Sequence, residues 1–243
     1  MPYRIKNNTD KARAGFMERC LMQYDNDAHD NTPLIHEATA SAMKAILPQW
    51  IELVQQRGKV AADRLPAVTA KDQARTECSM WISHFFQVLQ MWNKRELHDE
   101  GIFKFYSTEI QTKPSITLKS DDEVLLWGAR ILEGEKKRVD SGGVPMQNPT
   151  TEAFEPVYLL FRRQLQQVQK KKVDLDQAEE AVNKLRPQVD QLITDAIAEM
   201  DYLLRRESAA SQRRKMRRYG VRYSFSPGEP PDEEQPLEDA PVQ

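Results

Sequence analysis

Apolar residues recur at helical spacing in four long stretches of the chain, and the clearest of them covers residues 174–206. Its apolar positions are three or four residues apart, with charged residues on the other faces, so the apolar side chains share one face of an α-helix. A stripe of this length must be buried against other helices. Its members are Ala178, Val182, Leu185, Val189, Leu192, Ala196 and Leu203, widened by Ile193, Ile197 and Met200.

Two more of these stretches lie in the first half of the chain, at residues 33–57 and 69–97. The sequence Thr32-Pro33 supplies a capping hydroxyl and a proline for the first helical position, which is a good helix start. Gly58 and Pro66 predict a helix end and a connection between the two stretches. We therefore predict an antiparallel helical hairpin over residues 33–97, with Trp50 and Trp92 as its largest core side chains.

The fourth stretch, residues 149–173, follows Asn148-Pro149 and precedes the helix of residues 174–206. A cluster of lysines and then Asp174 predict a short turn between them, and hence a second antiparallel hairpin. The crossover between the hairpins contains Ser120 and Glu123, the signature of a capping box, which predicts a short helix over about 121–139.

The predicted fold is all-α: a four-helix bundle built from two antiparallel hairpins joined by a long crossover that carries a short helix. The residues after 223 are rich in proline and acidic side chains, which predicts a disordered C-terminal tail. The predicted divisions are an N-terminal arm and short helix at 1–32, the bundle domain at 33–206, a basic segment at 207–223 and the acidic tail at 224–243.

No motif in the chain predicts catalysis or a cofactor. A di-iron helix bundle carries a Glu-x-x-His motif on each of two helices, and this motif does not occur in the sequence. The sequence also contains no glycine-rich phosphate-binding loop and no nucleophile elbow. Cys20 and Cys78 lie far apart without metal-ligand spacing, which indicates buried, inert thiols. We predict that the protein is not an enzyme and binds neither a metal nor a small-molecule cofactor.

The first eleven residues are polar, and no apolar run approaches the length of a membrane span. The sequence therefore predicts no signal peptide, no transmembrane segment and a cytoplasmic location.

Charge is distributed unevenly near the C-terminus. Residues 205–222 carry eight Arg or Lys against one Glu, whereas 223–243 carry six Asp or Glu and no Arg or Lys. The basic run, with its interleaved tyrosines, predicts a surface that could neutralise phosphates and stack on bases; alternatively, the same cations meet a helix dipole, the acidic tail or a neighbouring subunit. The candidate partner-binding or nucleic-acid-binding residues are Arg205, Arg206, Arg213, Arg214, Lys215, Arg217, Arg218, Tyr219, Arg222 and Tyr223.

Several short motifs between residues 125 and 229 are similar to those of a group of bacterial all-helical proteins of no known function. They include Leu125-Leu126-Trp127-Gly128, Gly134-Glu135 with Arg138, Gly142-Gly143-Val144-Pro145-Met146, Asn148-Pro149, and a Tyr-Gly-Val-x-Tyr segment before Pro-Gly-Glu. The resemblance implies a bacterial origin and a non-enzymatic role.

Two functional hypotheses follow. The first is a structural protein, a helical bundle that self-associates as a homo-oligomer or docks on a protein partner. The second is a nucleic-acid-associated protein that binds phosphates through residues 205–222.

Overall fold

A computed structural model describes residues 2–95, 101–107 and 116–225. The prediction of an all-α protein is confirmed, because helices account for nearly all of the regular structure in these residues. Two short strands pair in antiparallel fashion, with Tyr3 opposite Ser224. In chain order the elements are β1 (Tyr3–Arg4), α1 (Asp10–His29), α2 (Glu37–Lys94), a 3₁₀ helix (Ile102–Phe105), α3 (Asp121–Asp140), α4 (Thr151–Leu204), α5 (Ala209–Arg218) and β2 (Tyr223–Ser224).

The connection predicted between residues 58 and 69 does not exist, since α2 is one helix of 58 residues that passes through Gly58 and Pro66. The surrounding sequence is rich in alanine, the best helix former, so helix continues on both sides of the proline. Pro66 leaves only the carbonyl of Ala62 without its helical donor, and Ala62 is exposed to water.

The turn predicted at Asp174 is also wrong, because α4 runs unbroken for 54 residues. No glycine or proline occurs between Pro156 and Pro187, so nothing in that stretch ends a helix. Residues 149–173 and 174–206 are consequently one helix and cannot form an antiparallel pair. The two predicted hairpins are replaced by two long helices.

The chain divides into two compact units, each of which contains one part of α2 and one part of α4. Unit 1 comprises Met1–Lys59 and Asp176–Gln243, and unit 2 comprises Val60–Leu175. This division cuts through the predicted bundle domain of 33–206. It also places the predicted N-terminal arm and basic segment together in unit 1.

The core of unit 1 is formed by four helical segments: α1, the first part of α2, the last part of α4, and α5. Trp50 and Tyr219 are its largest fully buried side chains, and the indole Nε1 of Trp50 donates to the backbone carbonyl of Asp10 at 3.2 Å. Trp50 was predicted to fill the core. Tyr219, by contrast, comes from the segment predicted to lie outside the bundle.

The core of unit 2 is mostly aromatic. Phe85, Phe86 and Tyr106 stack edge to face, with ring centroids 5.4–5.9 Å apart, and Phe86 also contacts Trp127 at 5.4 Å. Trp92, the other predicted core residue, is half-buried and packs against this cluster.

The capping box predicted at Ser120 is confirmed, but the helix start predicted at Thr32-Pro33 is wrong, because α2 begins at Glu37. The hydroxyl of Thr9 accepts from the amide of Ala12 at the start of α1, and Ser120 and Glu123 form the predicted capping box of α3. In the crossover, Ile102–Phe105 form the 3₁₀ helix, which no capping signal predicts. The predicted disordered tail lies outside the described residues from 226 onward.

No helix within the described ranges is both long and apolar enough to cross a membrane.

Candidate interaction surfaces

The predicted basic segment is a folded part of unit 1. Ser208 caps α5 by accepting from the amide of Ser211 at 3.3 Å, and α5 buries Met216 against the unit 1 core. The chain then turns at Gly220, whose φ of +93° lies in the region that glycine adopts without strain. The sequence of this segment does not predict its burial, because the segment is mostly charged and only Met216 and Val221 indicate an apolar face.

Tyr219 cannot belong to the predicted nucleic-acid-binding surface, because its side chain is fully buried. Its hydroxyl donates to Asp27 Oδ2 at 2.8 Å and accepts from the backbone amide of Leu34 at 2.9 Å. Burial and the neighbouring Asp27 raise the pKa of Tyr219, so the hydroxyl stays protonated. Arg218 also contacts Asp27, at 3.2 Å, while most of its side chain remains exposed.

The cations of α5 point in different directions, because successive residues of a helix are rotated by about 100° from each other. Lys215 forms an ion pair with Glu207 at 2.6 Å. Arg205 stacks on the Tyr202 ring at 4.0 Å, and Arg217 lies over the Tyr223 ring at 5.7 Å. The other predicted cations differ in exposure: Arg206 and Arg222 are exposed, and Arg213 and Arg214 are half-buried.

A buried carboxylate in unit 1, which no sequence motif predicts, joins three elements. The side chain of Asp10 is 8% exposed and contacts Arg13 at 3.3 Å, Arg57 at 2.7 Å and Arg186 at 3.1 Å. Burial by itself would raise the pKa of Asp10, but hydrogen bonds from Arg186 and Arg57 outweigh it and the pKa is lowered. Arg13 also pairs with Asp190 at 2.6 Å, so α1, α2 and α4 are held together in unit 1.

Unit 2 contains a second buried ionic network, made from the residues of the Gly134–Met146 motifs. Glu135 and Arg138, both 3% exposed, form an ion pair at 2.6 Å, and Glu135 also accepts from the hydroxyl of Tyr106. Glu135 accepts from the amide of Met146 at 2.6 Å, and Arg138 donates to the carbonyl of Val144 at 2.6 Å. The network therefore fastens the loop after α3 to the helix, which gives these motif residues a structural role.

The middle of α4 carries a reversal of charge. Residues 162–172 contain five Arg or Lys and no acid, and residues 174–180 contain four Asp or Glu and no base. Between them lies Val173, an apolar side chain that is 52% exposed. Among the described residues, the only ion pair made by these nine charges joins Glu180 to Lys184.

In the ranges that the structure describes, the candidate nucleophiles and ligands do not assemble into a site. Cys20 and Cys78 are buried, and burial raises the pKa of each thiol to about 12, so neither is a thiolate at neutral pH. His84 is exposed on α2. Within the described part of the chain, no three His, Cys, Asp or Glu side chains are grouped so that they could hold a metal ion.

Comparison of the chain with protein-family models, with curated proteins and with solved structures found no match.

Proposed function

We propose that this chain is a non-enzymatic interaction protein that self-associates, and that the middle of α4 is the contact between two copies. The observation that carries the proposal is the charge reversal centred on the exposed Val173. A surface that is basic on one side of a point and acidic on the other is complementary to itself after a twofold rotation. Closed dimers use such self-complementary patches, in which the same residues of both copies meet.

The charges select an antiparallel arrangement. With the twofold axis at Val173, Lys170 of one copy approaches Asp176 of the other, since both lie three residues from Val173 on the same helix face. A parallel arrangement in register would place each lysine opposite its own copy and would be repelled. The exposed valines meet at the axis and remove apolar surface from water.

The first test is a crosslink. In a Val173→Cys variant the two new thiols lie beside the axis, within the Cα separation of about 4.4–6.8 Å that a disulfide allows. We expect mild oxidation to convert this variant to a covalent dimer on a non-reducing gel. The matched control is Leu203→Cys, an equally exposed apolar position on the same helix. Equal crosslinking of the two variants would contradict the proposal.

The second test exchanges the charges. Lys170→Glu should weaken the dimer, because two attractive pairs per dimer become repulsive. Adding Asp176→Lys restores complementarity and should restore the dimer. Light scattering of the eluting protein measures both effects. These pairs lie at the surface, so raising the salt concentration should reduce the difference between the variants.

Binding of nucleic acid by the basic segment is the second candidate function. It is favoured by the exposure of Arg205, Arg206 and Arg222, three of the predicted phosphate-binding side chains. If Arg205 and Arg206 contact phosphates, Arg205→Gln with Arg206→Gln should reduce the slope of log affinity against log salt by about 0.7 per cation for single-stranded DNA. Fluorescence anisotropy of a labelled oligonucleotide measures that slope. An unchanged slope would exclude these two residues.

A further inference from the structure

We propose that a cationic pocket in unit 1, formed where α1 faces residues 220–222, binds a small ligand that bears a phosphate group. The pocket has a volume of about 380 Å³, within the range of small-molecule sites. Lys11 and Arg19 of α1 line it from one side, and Arg222 lines it from the other. Arg19 and Lys11 belong to none of the patterns that the sequence analysis identified.

Among the residues that the structure describes, the charge of this pocket is not balanced. No Asp or Glu of that part of the chain lines it. Among the described residues, Lys11 and Arg19 take part in no ion pair, and Arg222 donates only to the neutral amide oxygen of Asn7, at 3.4 Å. The nearby carboxylate of Asp10 already contacts three guanidinium groups. Three cations therefore face the pocket, and a dianionic phosphate would offset most of their charge.

The pocket is built on a fixed backbone. The carbonyl of Arg222 accepts from the amide of Ile5 at 2.9 Å, which holds that segment beside the N-terminal residues. At Gly220 a Cβ atom would come within 3.1 Å of the Cβ of Arg19, so this glycine permits the close approach of residues 219–221 to α1. Groups held in place before a ligand arrives lose little freedom on binding, which favours affinity.

The missing side chain of Gly15 leaves the floor of the pocket open. A Cβ placed there would have no atom within 4 Å, so the space above this helix position is empty. Guanidinium forks match the geometry of phosphate oxygens, and Arg19 and Arg222 supply two of them. The hydroxyl of Thr9 and the amide of Asn7 also line the pocket and are suited to polar contacts with the same ligand.

The test is calorimetric titration of the full chain with inorganic phosphate and with pyrophosphate. Arg19→Gln and Lys11→Gln should each weaken binding by about tenfold, the loss expected for one charged hydrogen bond. Gly15→Leu retains all three cations but fills the pocket, so it should abolish binding while the helix remains stable. Lys59→Gln, which removes an exposed cation elsewhere in unit 1, is the matched control and should bind as the unaltered chain does.

Three results would overturn the proposal. Binding that is lowered equally by Lys59→Gln, or retained in Gly15→Leu, would mean diffuse attraction to a basic surface. Binding of a single-stranded oligonucleotide without any binding of pyrophosphate would mean that these cations contact the backbone of a nucleic acid. Phosphate binding that appears only after Asp232→Asn, Glu233→Gln and Glu234→Gln are introduced would assign the pocket to the chain's own carboxylates.

Discussion

Replacing Glu135 by Gln should destabilise unit 2 strongly. The substitution keeps the shape of the side chain but removes the charge that faces Arg138, which is 3% exposed and cannot reach water. It also disturbs the hydrogen bonds from Tyr106 and from the amide of Met146. Breaking a buried ion pair by removing one partner costs about 3–5 kcal/mol, because the remaining charge is left buried without compensation.

Urea unfolding followed by circular dichroism measures this loss. The neighbouring variant Lys136→Gln is the control: it breaks an exposed ion pair with Asp140 and should cost no more than about 0.5 kcal/mol. Hydrogen exchange at the amide of Met146 provides a local measurement, since that amide donates directly to Glu135. We expect faster exchange in Glu135→Gln and no change in Lys136→Gln.

A loss below about 1 kcal/mol together with an unchanged exchange rate at Met146 would refute the reasoning. It would mean that Arg138 finds water or another acceptor when Glu135 is neutral. The double replacement Glu135→Leu with Arg138→Met separates the two explanations, because a buried pair replaced by apolar side chains is often close to neutral. Recovery in the double variant would assign the cost to the unpaired guanidinium.

Two further predictions concern Asp10 and two helical glycines, the buried Gly128 and the exposed Gly58. Asp10→Asn should lower the free energy of unfolding by about 1–3 kcal/mol at pH 7. The pKa of Asp10 is lowered in the folded protein. Its carboxylate therefore stabilises the fold fully above the unfolded pKa of about 3.9, and this stabilisation is lost as the pH falls through the folded pKa. The unaltered chain and Asp10→Asn should therefore converge in stability in acid. Gly128→Ala places a Cβ 2.4 Å from the ring of Tyr158 and should cost about 1–3 kcal/mol, whereas Gly58→Ala meets no atom within 4 Å and should stabilise α2 by about 0.5–1 kcal/mol, both measured by thermal unfolding.

The sequence by itself determined the local features of the helices. The caps at Thr9 and Ser120 depend on side chains that accept hydrogen bonds from amides two or three residues away, so a short stretch of sequence is enough to predict them. Most of the apolar stripe of residues 174–206 is buried or half-buried as predicted, because helical periodicity places those side chains on one face; Leu203, at the end of α4, is exposed instead. The burial of Trp50 follows from the same kind of stripe.

Tertiary structure decided whether each helix ended. Gly58, Pro66 and Asp174 are sites where a helix could stop, but α2 and α4 bury apolar side chains in the two cores on either side of these sites, which favours one continuous helix. The choice depends on the cores of unit 1 and unit 2, which assemble residues far apart in the chain. The free energy of packing these cores is absent from the local helix signals, so a short stretch of sequence does not predict where each helix ends.

The ionic networks depend still more on tertiary structure. Asp10 pairs with Arg57 and Arg186, which are 47 and 176 residues away, and Tyr106 lies 29 residues from Glu135. In the sequence each is an ordinary polar residue of a helix or a loop. Burial and charge compensation exist only once the elements have packed, because the energy of an ion depends on the water and the partners around it, and the folded chain determines both.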